Sequence, residues 1–211
     1  MITPESIKEI EKRAYRATFD DGLYDILFGV AFLILAWIST LDSIGVPRLY
    51  GYLSVIILPL IPLLGKKYIS TPRLGAVEFG PRRKSKKLFL LVIIGAVIFL
   101  QMPVIMIAGA GGFFEVLGGS LSVPVMVGMI IAPLLLLAAY FIDYPRMYIY
   151  AVLLLVSIPH AAFMYEFVGV PFNGLISFGI PGLVILIYGL NLLAKFIRKY
   201  PLPTPEANHA G

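Results

Sequence analysis

The sequence predicts an all-α fold: a polytopic transmembrane bundle of about six spans with an N-terminal amphipathic interfacial helix. Three observations predict it. The 211 residues are 59% hydrophobic and only 14% charged, where an ordinary soluble domain has about 45–50% and about 25%. Apolar runs recur at close to the ~20 residues that a helix needs to cross a bilayer. Sixteen of the 17 Lys and Arg fall in segments that share one side of such a bundle, which is the cytoplasmic side under the positive-inside rule.

The chain starts with Thr3 placed to cap a helix whose first residue is Pro4, a standard start signal. Ile7, Ile10, Ala14 and Ala17 form a narrow apolar stripe, with Lys8, Lys12 and Arg16 on the other side beside Glu5 and Glu9. That pattern predicts a helix over 3–20 lying in the cytoplasmic interface. No short apolar core precedes the first span, so no cleavable signal is expected.

Spans are expected at 23–41, 49–64, 88–108, 121–142, 147–168 and 175–197, all in one integral membrane domain. The second is short and carries Pro59 and Pro62, which suits a tilted, broken or re-entrant element. A basic cytoplasmic loop is expected over 65–87, with Pro72 and Gly80-Pro81 bracketing a short extended stretch, and a flexible polar tail over 200–211. With both termini in the cytoplasm, the inside segments hold Lys66, Lys67 and Arg73, the RRKSKK run, Arg146, Lys195, Arg198 and Lys199, together with the basic residues of the N-terminal helix; Arg48 alone falls outside. An odd number of spans would place a large basic cluster on the wrong face. The expected location is therefore the plasma membrane, multi-pass. Yet a faint echo also links Tyr68–Arg73, Phe141–Arg146 and Phe196–Ile197, each an aromatic-Ile pair with Pro following, as a triplicated two-span unit would show.

The net charge of +5 reflects topogenic loops rather than a nucleic-acid face. Arg82, Arg83, Lys84, Lys86 and Lys87 are expected to contact anionic lipid headgroups, at about 1 kcal/mol for each basic residue near the surface. The absence of cysteine excludes disulfides, thiolate metal sites and a thiol nucleophile. No His-x₃-His or Glu-x-x-His pair occurs, so neither a metal site nor a cofactor is expected.

Two groups of polar residues stand out. The first opens the first span, DDGLYDILFG. Asp20 or Asp21 can cap that helix and complement its dipole. Asp25, four residues further in, begins to lose water and is expected to pair with Arg73 or Arg146, as a structural ion pair or a functional site. The second group lies in the outer half: Glu166, His160 and Glu115, with Gln101 and Asn191 inside spans three and six. Ionisable groups in spans usually face the bundle interior. His160 and Glu166 are six apart, about 240° around a helix, so one site receives both only if Pro159 distorts the turn. Interhelical hydrogen bonding is the plainer role for His160, Gln101 and Asn191.

The DGLYDILFG stretch, followed by TPRLGAVEF, resembles a group of small prokaryotic polytopic membrane proteins. They share an Asp-Gly-Leu-x-acid start to the first span and a Pro-Arg-x-Gly-x-Val cytoplasmic loop. The resemblance covers about the first ninety residues, implies the same topology, and singles out Asp21, Gly22, Asp25, Pro72, Arg73 and Gly75. It implies no reaction. Binding or transport of a small solute, cation or lipid within the bundle, with homo-oligomerisation as one route to a pathway, is the leading expectation. The alternatives are a non-catalytic accessory or scaffold protein docking a cytoplasmic partner, and an intramembrane lipid-modifying enzyme using His160, Glu166, Glu115 or Asp143 as acid–base groups. The balance leans away from an enzyme.

Overall fold

The computed structural model describes residues 19–47, 49–74 and 122–202. The expected interfacial helix, the third span, most of the basic loop and the tail from residue 203 lie outside the described residues. Among the described residues the regular structure is all helix, with no strand. In chain order the helices are α1 (Leu23–Leu41), α2 (Leu49–Ser54), α3 (Ile57–Gly65), α4 (Thr71–Leu74), α5 (Ser122–Ile142), α6 (Arg146–Val168), α7 (Phe172–Gly174) and α8 (Ile180–Lys199). Two π-turns join them: Lys66–Ser70 runs α3 into α4, and Leu175–Gly179 runs α7 into α8.

Three described stretches are long and apolar enough to cross a membrane: Leu23–Leu41, Arg146–Val168 and the continuous Phe172–Lys199. At 1.5 Å per residue, the 19 residues of α1 give about 28 Å, the thickness of a hydrocarbon core. Their outer faces carry Leu183, Val184 and Ile187 on α8, and Ile149, Val152, Val156 and Phe163 on α6, all exposed. Contiguous apolar surface of this extent is tolerated against lipid and not against water.

The chain divides into two compact units, Met1–Glu78 with Phe178–Gly211, and Phe79–Ser177. In the first, α1 packs against α8 along its length. Glycines explain the closeness. A Cβ at Gly29 would lie 2.6 Å from the Leu186 nitrogen, and one at Gly189 would lie 2.7 Å from the Ile26 nitrogen. Gly22 faces the Gly189 carbonyl, and Gly182 faces the Gly29 carbonyl at 3.1 Å. Two glycines seven residues apart on each strand of an antiparallel pair therefore meet backbone to backbone. Lipid tails are as apolar as leucine, so helices in a bilayer gain from such close contact rather than from hydrophobic burial. Phe32, buried beneath Phe178 with ring centroids 6.4 Å apart, closes the seam.

The returning hairpin, α2 and α3, runs antiparallel to α1: Gly51 meets Ile38 and Leu41, and Gly65 meets Leu23. It is broken at Val55 and Ile56, where Pro59 removes the N–H that would bond the Val55 carbonyl. The Leu58 N–H takes that carbonyl instead, at 3.1 Å, in a tighter turn. Beyond the break the helix does not stop at Leu64 but continues through the π-turn to Leu74, into residues the sequence assigns to the cytoplasmic loop. The start of α1, the end of α4 and the end of α8 come together, since Asp20, Leu74 and Lys195 line one cleft.

The second unit contains the α5–α6 hairpin. The left-handed Asp143 (φ 57°) ends α5, with the Tyr144 N–H on the Ala139 carbonyl and the Asp143 N–H on the Tyr140 carbonyl. This is a Schellman cap, and Pro145 follows it into α6. The buried positions are largely alanines, Ala132, Ala138, Ala139 and Ala151, with Met147 and Tyr150 at the turn. The sequence echo does not survive as structure: residues 141–146 end a helix, whereas 68–73 lie inside one.

Candidate functional site

Three hydroxyls in the described α-helices bond back to their own turn. Ser39 and Thr40 both donate to the Ala36 carbonyl, and Ser54 donates to that of Gly51. Two serines do otherwise, and each lies in a π-turn.

Ser70 is the first. Its hydroxyl donates to Asp21 Oδ2 at 2.6 Å, and Lys66 Nζ donates to the same oxygen at 2.6 Å. Asp21 Oδ1 accepts the Leu23 N–H at 3.2 Å, so one carboxylate caps α1 and clamps the returning hairpin. Asp21 is only 1% exposed, whereas the Lys66 side chain keeps 29% of its surface open. The ammonium also sits 5.9 Å from the Phe19 ring centroid and 5.7 Å from that of Tyr24, within cation–π range. The cap expected of Asp20 or Asp21 is held by Asp21, and the same carboxylate also takes a cation, Lys66, that sequence did not assign to it. Asp25 is fully buried, with its Cβ against the notch at Gly189. Arg73 donates to the Ile69 carbonyl at 2.8 Å and keeps a buried Nε without an acceptor. Arg146 lies over the Tyr144 ring at 5.7 Å.

Ser177 is the second. It shares a 2.8 Å hydrogen bond with His160 Nδ1 of α6. One turn away, Asn173 Nδ2 donates to the Ala161 carbonyl at 3.2 Å, while Asn173 Oδ1 is buried with no donor. Ser157, also buried, lies one turn before His160 on the same face of α6. All four residues belong to the second unit. The cluster thus combines two hydroxyls, an imidazole and an amide, with one acceptor unsatisfied, on helices apolar enough to span a membrane.

The two π-turns have a common local origin. Pro72 and Pro181 each lie two residues beyond a π-turn, and each removes the N–H that would bond the carbonyl four residues back, Tyr68 and Ser177 respectively. The ladder widens there, as π-bulges at functional positions commonly do.

The remaining expected residues scatter. Glu166 is exposed near the end of α6, away from the half-buried His160, and Asn191 is exposed on α8. Glu115, Gln101 and the run Arg82, Arg83, Lys84, Lys86, Lys87 lie outside the described residues. Among the described residues, no three His, Asp or Glu side chains converge. Sequence reasoning missed Ser70, Ser177, Asn173 and three of the four facing glycines, Gly29, Gly182 and Gly189; Gly22 was singled out by the resemblance. No local signal singles these serines out, since Ser122 and Ser157 also precede a proline within four residues.

Fold and site together define a helical, membrane-spanning protein with polar side chains buried between its helices. No protein-family model, curated protein or solved structure matches the chain.

Proposed function

We propose that this is a prokaryotic plasma-membrane protein, crossing six times with both termini cytoplasmic, that binds or transports a small solute, cation or lipid within its bundle. The observation that carries the reading is Asn173 Oδ1, a buried acceptor without a donor beside the His160–Ser177 bond. An unmet acceptor in an apolar surround is costly, and a ligand that donates a hydrogen bond or carries positive charge would satisfy it. Ser157, His160, Asn173 and Ser177 are then the contact residues, and no cofactor is needed. The orientation draws support from the meeting of α1's start with the ends of α4 and α8, three segments that the charge distribution assigns to one side.

Asp21 and Lys66 serve in this reading as the latch that holds the first hairpin at the cytoplasmic edge, and Asp25 is the second acid of that end. The test is flux and ligand-dependent thermal stabilisation of the full chain in liposomes, across a panel of metal cations, amines, polyols and lipids. A responding compound is expected, with the response falling at least tenfold in Asn173→Leu while the helical spectrum is kept. No response across the panel, or a response indifferent to Asn173→Leu, overturns the reading.

A further inference from the structure

At the end of the first unit where α1 starts and α8 finishes lies a cleft of about 220 Å³. Its lining divides by chemistry: Leu74, Leu192 and Phe196 are apolar, while Lys195, Lys199 and Asp20 are charged. Lys195 and Lys199 are four apart on α8, so both ammonium groups rise on one face of the helix. Among the described residues neither is paired with a carboxylate. Lys199 instead lies 5.2 Å from the Tyr200 ring centroid, which is also part of the lining. The dipole at a helix C-terminus accounts for lysines in the last turn. It does not account for a recess beside them that is apolar on one part and cationic on another.

That combination matches an amphiphile with an anionic head at the membrane–water boundary. We propose that this cleft binds the phosphodiester headgroup of an anionic bilayer lipid, with Lys195 and Lys199 on the phosphate and Leu74, Leu192 and Phe196 against the glycerol and first acyl carbons. The site does not depend on the solute reading, and it differs from the RRKSKK contact expected from sequence.

Native mass spectrometry of the full chain in neutral detergent, titrated with phosphatidylglycerol, phosphatidylcholine or inorganic phosphate, tests it. Phosphatidylglycerol should be retained in preference to phosphatidylcholine. Lys195→Gln and Lys199→Gln should each weaken its binding about fivefold, as expected for one basic residue near an anionic surface. Lys195→Arg should bind like the unmodified chain. Arg198→Gln, an exposed cation outside the cleft, should change nothing. Equal loss in Arg198→Gln would mean diffuse attraction and would overturn the proposal, as would equal retention of the two lipids or indifference to the lysine variants. Displacement by millimolar inorganic phosphate would assign the site to a soluble anion and overturn the lipid assignment.

Discussion

The two units solve the same problem in opposite ways. The α1–α8 pair brings backbones together through Gly22, Gly29, Gly182 and Gly189, and locks its water-facing end with Asp21, Lys66 and Ser70. The α5–α6 hairpin is set by a Schellman turn and buries alanines, and its unit places polar side chains within the helices instead. Where backbones touch, the seam itself leaves no room for a ligand, and the clamp of Asp21, Lys66 and Ser70 sits at its end. In the second unit His160 of α6 meets Ser177, and Asn173 Oδ1 is left without a donor. The first unit is held by close backbone contact and an ion pair, and the second carries a buried acceptor without a donor.

The strongest way to break that contrast is to fill a glycine notch. Gly29→Leu drives a side chain into the Leu186 backbone, and its cost should reach or exceed the ~3 kcal/mol upper end of ordinary overpacking. Unfolding by SDS titration should show the loss; an unchanged midpoint would refute backbone contact as the basis of the pair. Asp21→Ala comes next. Removing a partner from a buried ion pair costs about 3–5 kcal/mol, and an exposed pair is worth about 0–1. With Asp21 closed off and Lys66 partly open, about 1–3 kcal/mol is expected, and Lys66→Met in the same background should recover part of it.

In the second unit the opposite substitution is informative. Ala151→Gly should cost only about 0.5–1 kcal/mol from backbone freedom, far less than Gly29→Leu; parity between them would erase the distinction. Ser177→Ala should lower stability by about 0.6–2 kcal/mol, the worth of an interhelical hydrogen bond in a membrane. It should also change the imidazole signals of His160 by NMR, which a loss unconnected with the His160–Ser177 bond would leave in place.

Much of this architecture could be read before any coordinates. The limits of α1 and α6 follow from hydropathy, because a span must be apolar over its whole length to enter lipid. The break in the second span was visible in Pro59 and Pro62, since a proline removes a donor wherever it stands. The site was less legible. Asp21 and Asp25 look alike in sequence, and only the arrival of α3 and its π-turn determines which carboxylate meets Lys66. His160 drew attention as an ionisable group, but its partner lies 17 residues away at a serine that composition does not distinguish from Ser39 or Ser54.

Composition alone therefore determined the helical membrane class, because insertion energies act residue by residue and need no partners. The tertiary structure decided which glycines touch, that Asp21 takes Lys66, and which amide oxygen goes without a donor. Those outcomes depend on distances of a few tenths of an ångström between segments far apart in the chain, and no local pattern encodes them.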